Sequence, residues 1–316
     1  MFKGVQPAAG RLCFHRLYSS APQKTRVQLV AELRKLSNAP ILKARQALDE
    51  NNGNFDAALR WLEEEMRKSG AAKAEKIKDR ATSEGLISIS VLEGGLGSRI
   101  GSGAGSVKAG IIELNCESDF VSRTDEFANL AAEIAQVVVQ SSTQQGASPF
   151  IPLSVGDLLQ TAHKSGTVGS LITDLIARIG ENISLRRAML LAPAHDPDSA
   201  FRVASYLHQG RVGALELISF RPSRSPLFKD DTFIGDLEKL ERALAKQTTG
   251  FMTLGIDQKR DPGDEPETVL YEQPFLMLGG ENASVPVRKV LDQWQKKWGL
   301  DDISVSGFAR WEVGKN

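Results

Sequence analysis

The run from Gly110 to Val121, Gly-Ile-Ile-Glu-Leu-Asn-Cys-Glu-Ser-Asp-Phe-Val, places a carboxylate next to an aromatic ring where a strand must give way to a helix. Ile111, Ile112 and Leu114 read as a buried strand, and the polar turn after them ends in Asp119-Phe120-Val121. A ring and a carboxylate at such a corner, held on a rigid base, can project into another protein as an anchor. The same residues also have a local use. A Phe at a strand–helix junction usually belongs to the core, and an Asp before it often caps the helix. The chemistry in prospect is recognition by a wedge rather than bond making.

The other candidate groups argue against catalysis. Gly94–Gly105 invites a phosphate-loop reading, but no Lys follows the second glycine as a Walker loop requires. Gly95-x-Gly97 has Ile100 where a dinucleotide fingerprint needs its third glycine, so the stretch reads as a loose hairpin connection. His15, His163, His195 and His208 are isolated, and no His/Cys cluster has metal spacing. No Gly-x-Ser-x-Gly elbow is present. Cys116 ends an apolar strand and reads as a small core residue. The carboxylates show no pairing that signals acid–base work. The expectation is a protein that is not an enzyme and has no metal or cofactor.

The elements that must position the corner follow from periodicity. Residues 25–66 read as three helices: Thr25 caps the first, Pro40 opens the second, and Asn51-Asn52-Gly53 ends it. Phe55, Ala58, Leu59, Leu62 and Met66 form the stripe of the third. Residues 67–82 are basic and Ala-rich, a solvated helical linker. Strands are expected at 86–91 and 107–115, and a helix at 124–140 with Thr124 at its start. Ser154 and Asp157 suggest a capped short helix, a stripe from Leu171 to Ile179 closes at Gly180, and 183–191 reads as a strand. Residues 192–205 read as a loop. Gly210-Arg-Val-Gly213-Ala-Leu-Glu216-Leu217 then echoes Val107-Lys-Ala-Gly110-Ile-Ile-Glu113-Leu114. A helix at 233–246, an acidic loop at 261–267, a strand at 268–278, an amphipathic helix carrying Val287, Val290, Leu291, Trp294 and Trp298, and a strand near 303–313 complete the chain.

The fold class is therefore α+β: a three-helix module, then an α/β core at 83–190 and 191–316 built as two pseudo-repeated antiparallel sheet-plus-helix halves. Two copies are too few for a solenoid. The 39 Lys and Arg balance 39 Asp and Glu, which disfavours nucleic acid as the main ligand. No run is long and apolar enough to cross a bilayer. The chain has no Asp or Glu before Glu32 but carries Lys3, Arg11, Arg16, Lys24 and Arg26, the composition of a mitochondrial transit peptide over residues 1–20.

Four blocks, in order, carry a resemblance to translation elongation factor Ts, the family of guanine-nucleotide exchange factors for elongation factor Tu. They are Leu33–Leu36 through Ala47-Leu48 with Gly53–Leu59 and Arg67–Gly70; Glu113–Val121; Ile179–Ile183 with Arg186-Arg187; and Tyr206-x-His208 through Gly213 with Gln273–Phe275 and Gly307–Gly314. The resemblance implies a ubiquitin-associated-like helical module on residues 25–66, and elongation factor Tu as partner without nucleotide binding by this chain itself. Asp119 and Phe120 match the intruding pair, Ile179 and His208 match core contacts, and Ile41, Leu42 and Arg45 match the contact surface of the N-terminal module, with Arg45 where Lys is usual. Compaction and the basic leader resemble mitochondrial members, which places the protein in the matrix. The glycine-rich hairpin and 192–205 look like insertions, and 221–268 matches the family poorly. Two rivals stand beside this reading: an adaptor that binds ubiquitin or a helix through the three-helix module, and RNA binding through residues 67–80.

Overall fold

The computed structural model describes residues 24–315 apart from 38, 143–147, 165, 222–225 and 258–265. The leader at 1–20 and most of the acidic loop at 261–267 lie outside the described residues. The chain divides into two compact units, one ending at Met66 and the other beginning at Arg67.

The first unit holds α1 (Arg26–Ser37), α2 (Ile41–Glu50) and the start of α3 (Phe55–Ile77). Leu33, Ala44, Ala47, Leu48, Ala58 and Leu62 form its core. Thr25 caps α1 as the sequence suggests, its Oγ1 accepting from the Gln28 N–H at 3.4 Å, and at the start of α3 Asn54 Oδ1 accepts from the Ala57 N–H at 3.0 Å. The chain leaves α2 through Asn52 and Gly53, both at positive φ.

One expectation is corrected at residues 67–77. They continue α3 rather than start a separate linker, and they are not solvated throughout. Gly70 and Ile77 are buried in the second unit. A Cβ on Gly70 would lie 2.8 Å from the Ala177 methyl, so only a glycine allows that approach.

The second unit begins with β1 (Glu84–Leu96), β2 (Ala104–Cys116), α4 (Asp119–Ser122), α5 (Asp125–Gln140), β3 (Phe150–Leu153) and α6 (Val155–Gln160). It continues through β4 (Ala162–His163), β5 (Gly166–Thr167), α7 (Val168–Ile179), β6 (Ile183–Leu191), β7 (Ala200–His208) and β8 (Val212–Arg221). It ends with α8 (Asp231–Gly250), α9 (Val287–Trp298) and β9 (Asp302–Glu312). Seven strands form one sheet in the order β3-β6-β2-β1-β7-β8-β9, with antiparallel pairing.

Strand alternation explains how one sheet serves three apolar layers. Along β2, Ala109 and Ile111 face one side with Ile87, Leu215, Leu217, Ala309 and Trp311, the inner face of a curled sheet. Ile112, Leu114 and Cys116 face the other side, against Phe127, Leu130 and Ile134 of α5 and Ile172 and Ile176 of α7. Ile218 and Phe220 of β8 pack likewise on Phe233, Leu237 and Leu244 of α8 and Trp294 of α9. The curl brings the end of the edge strand β9 over the interior strand β2: the Gly314 N–H donates to Glu113 Oε1 at 2.8 Å. Glu113 is fully buried and is also held by Arg187 Nε at 2.7 Å and Arg186 Nη1 at 3.4 Å, while Arg187 stacks over Trp311 at 4.4 Å.

Three further readings are revised. The expected strand at 268–278 is a run of turns and short 3-10 segments whose strand-like pairing, among the described residues, is limited to isolated bridges at Gly255–Val269 and Pro274–Pro286. Pro274 removes a donor there. Within the expected loop at 192–205, residues from Ala200 onward belong to β7, which pairs with β8 from Ala200–Phe220 to His208–Val212. The echo between Gly110–Glu113 and Gly213–Glu216 joins positions that face opposite sides of the sheet. Glu113 lies on the inner face, whereas Glu216 alternates with the inner Leu215 and Leu217 and faces α8.

Candidate functional site: a clamped corner and an exposed ring

The corner after β2 is fixed by a second loop. Glu117 Oε1 accepts the Asn182 N–H at 2.6 Å, while Glu181 accepts the Ser118 N–H at 3.0 Å and the Ser118 hydroxyl at 2.7 Å. Asn182 then donates from Nδ2 to the carbonyls of Lys78 and Arg80, at 2.9 and 2.8 Å. These charge-assisted bonds tie the first turn after β2 to the turn after α7. The latter turn depends on Gly180, whose φ of 83° ends α7 and redirects the chain into Glu181.

Ser118, not Asp119, is the N-cap of α4, accepting the Val121 N–H at 3.4 Å. Asp119 occupies the first helical turn and lies 3.2 Å from Arg123. A helix of four residues can bury only one flank. Val121 takes the inward position beside Phe127 and Leu130, and Phe120 is left 81% exposed. The usual fate of such residues, a packed ring and a capping Asp, is therefore not the one adopted. Thr124 immediately caps α5 by accepting the Phe127 N–H at 3.3 Å, so the corner is stiff on both sides.

The remaining expected site residues fall into two groups. Ile179, the last residue of α7, is half-buried one step before the Gly180–Glu181 clasp. His208 is exposed at the end of β7, before a tight turn in which Gln209 and Gly210 have positive φ. That turn is fastened to β1: Ile87 N–H donates to the Gly210 carbonyl at 2.7 Å and Arg211 Nη1 bonds Glu84 Oε2 at 2.6 Å. Since Glu84 pairs with Cys116, the turn after His208 sits at the same end of the sheet as Asp119 and Phe120. Ile41, Leu42 and Arg45 belong to the first unit, where all three are exposed on α2. Ile41 and Arg45 border a groove of about 410 Å³ that Val27, Val30, Arg26 and Arg34 also line.

The chemistry available at the corner is contact chemistry. Cys116 is fully buried, and its thiol is pushed up to about 12 by burial and by the Glu181 and Glu84 carboxylates, so it supplies no thiolate. Among the described residues no group of three His, Cys, Asp or Glu side chains could hold a metal ion, and no helix is long and apolar enough to cross a membrane. One feature escaped the sequence reading. Met252, Leu254, Leu276 and Met277 are exposed by 66%, 64%, 49% and 41% around the end of α8. The Pro-Phe-Leu-Met-Leu run at 274–278 looks like a strand, and no local signal distinguishes it from one.

Comparison with known proteins identifies the family. The family model described as elongation factor TS matches residues 117–232, a span that contains the clasp, Phe120, Ile179 and His208. The chain is 41% identical to a Laccaria bicolor protein named elongation factor Ts, mitochondrial, over 95% of each chain. It is 40% identical to the protein of the same name from Coprinopsis cinerea, over 100% of this chain and 99% of the relative. A Postia placenta relative, elongation factor Ts, mitochondrial 2, is 36% identical over 95% of both. With resemblance of this depth along nearly its whole length, the chain belongs to the elongation factor Ts family, of the kind whose relatives bear the mitochondrial name.

Proposed function

We propose that the protein is a guanine-nucleotide exchange factor for mitochondrial elongation factor Tu, working in the matrix during translation elongation, and that it makes and breaks no covalent bond. The observation that carries this reading is Phe120, four-fifths exposed on a corner clamped by Glu117, Ser118, Glu181 and Asn182. A ring held out at such cost to solvation is poised to gain by entering a partner.

The mechanism follows from linkage. The partner holds GDP through phosphate contacts and Mg²⁺. A factor that binds the opened, Mg²⁺-free form better than the closed form lowers GDP affinity by the ratio of its two affinities. The coupling is reciprocal, so incoming nucleotide expels the factor. Phe120 wedges among the partner's helices beside the nucleotide site, and Asp119 holds the displaced arrangement. Ile179 and His208 extend the contact from the same end of the sheet. Ile41, Leu42 and Arg45 of the helical module, which we read as ubiquitin-associated-like, grip a separate part of the partner. Each tenfold loosening of GDP takes about 1.4 kcal/mol of differential binding.

The domain reading proposed with this function is a transit peptide at 1–20, the helical module at 25–66 and core halves at 83–190 and 191–316. The test is release of a fluorescent GDP from purified mitochondrial elongation factor Tu with and without residues 21–316. Acceleration supports exchange. No acceleration with a partner shown to be active overturns it in favour of a helix- or ubiquitin-binding adaptor, which binding to immobilised ubiquitin then checks.

A further inference from the structure

The end of α8 carries the exposed apolar patch of Met252, Leu254, Leu276 and Met277. Single apolar side chains on a surface are ordinary, but a group of large ones from two segments is not. Both segments alternate: Thr253 is buried between exposed Met252 and Leu254, and Phe275 is buried before exposed Leu276. Buried amides fasten the two segments to α8 from beneath. Gln247 Nε2 donates to Gln273 Oε1 and to the Pro274 carbonyl, both at 3.1 Å, and Gln273 Nε2 donates to Thr253 Oγ1 at 3.0 Å. The Met277 N–H donates in turn to Gln247 Oε1 at 3.3 Å. A Cβ on Gly250 would lie 3.1 Å from the Met277 methyl, which sets that thioether beside the backbone just before Met252. The proposed exchange function makes no use of this patch.

The chain has five methionines, and their settings differ. Met252 and Met277 are 66% and 41% exposed. Met66 is half-buried against the core of the first unit, and Met189 is half-buried against the inner layer of the sheet. Met1 lies in the leader. A thioether has no proton to lose, so access from solvent governs how fast an oxidant reaches its sulfur. A cysteine reacts as its thiolate, and Cys116 is fully buried with its thiol held protonated near neutral pH. Among the described residues, Met252 and Met277 are therefore the most accessible oxidisable sulfurs, and both lie in one patch.

We propose that Met252 and Met277 form a reversible oxidation site at which a hydroperoxide switches this patch from apolar to polar. The sulfur attacks one oxygen of hydrogen peroxide. An S–O bond forms, the O–O bond breaks, and the proton of the transferred hydroxyl passes to the departing oxygen, which leaves as water. Sulfur is oxidised to the sulfoxide as the peroxide is reduced. A methionine sulfoxide reductase reverses the step with a pair of thiols, which become a disulfide while the sulfoxide oxygen leaves as water. The thioether is a weak acceptor, whereas the sulfoxide is polar and draws water onto its surface. Oxidation at both positions leaves Leu254 and Leu276 as the apolar remainder of the patch.

The test treats the full chain with hydrogen peroxide and quenches samples over time with catalase. Peptide mass spectrometry maps the gain of oxygen, beside hydrophobic-interaction chromatography of the intact protein. The expected result is that Met252 and Met277 each gain one oxygen several-fold faster than Met66 and Met189, and before Cys116 is modified. Column retention falls with the same time course and returns when methionine sulfoxide reductases for both sulfoxide epimers are added with a thiol. The double variant Met252→Leu, Met277→Leu keeps the size and apolar character of the patch but cannot be oxidised there, so its retention holds steady under peroxide. Four results would overturn the proposal: Met66, Met189 or Cys116 reacts as fast as the exposed pair, retention of the oxidised natural chain is unchanged, the double variant loses retention as the natural chain does, or the reductases restore nothing. The mapping uses the natural chain and stands even should the double variant misfold. No readout involves elongation factor Tu, so this outcome is separable from the exchange reading.

Discussion

Truncating Phe120 to Ala separates a wedge from a structural residue. The ring is 81% exposed in the free protein, so its loss costs little stability; a surface substitution of this kind stays within about 0.5 kcal/mol. Burying a whole Phe side chain is worth about 1.5–3 kcal/mol. With 81% of its surface still to be covered, the ring can gain about 1.2–2.4 kcal/mol on entering a partner. If that gain occurs only in the opened, nucleotide-free complex, Phe120→Ala lowers the exchange rate constant about 8- to 60-fold. The assay is stopped-flow release of fluorescent GDP at several factor concentrations, beside a urea melt of the free variant. A matched melt with exchange reduced in that range supports the wedge. Exchange within about twofold of the natural chain would refute it while leaving the function standing. A melt shifted by several kcal/mol would show that the ring is part of the core.

Two other outcomes follow from the same structure. Glu181→Ala removes both bonds to Ser118, which at about 1.5–3 kcal/mol for a hydrogen bond to a charged group should lower stability measurably and slow exchange although Phe120 itself is intact. Full exchange activity in a folded Glu181→Ala protein would show that the clasp does not position the ring. Glu216 gives a pH signature. It is wholly buried, neither carboxylate oxygen is hydrogen-bonded, and burial raises its carboxyl from 4.5 to about 7. The folded state therefore holds this proton more tightly than the unfolded chain. The stabilisation is complete below pH 4.5 and is lost as pH rises through about 7. Urea melts should show Glu216→Gln gaining on the natural chain between pH 5 and pH 8, by an amount on the order of 3 kcal/mol at most. A parallel pH dependence in the two proteins would place the proton elsewhere.

Local chemistry in the sequence already determined the caps and the helix stripes. Thr25, Asn54, Thr124 and Ser154 each accept an N–H three residues on, because capping needs only a short-range match of oxygen to an unsatisfied donor. The order of the family blocks was equally legible, since it is a property of the chain itself. Other outcomes depended on what packs against what. Whether Phe120 is core or surface turned on Val121 taking the single inward position of a four-residue helix, and on Glu181, 61 residues beyond Phe120, clamping Ser118. The run at 268–278 looked like a strand because periodicity records apolar character and not whether an edge is available to pair. Likewise Glu113 and Glu216 share a sequence context, yet the curl of the sheet gives one of them two arginines and leaves the other a buried acid. Residue type and near neighbours set the local elements. Which side of the sheet a residue faces, and what meets it there, is a long-range property that only the closed fold decides.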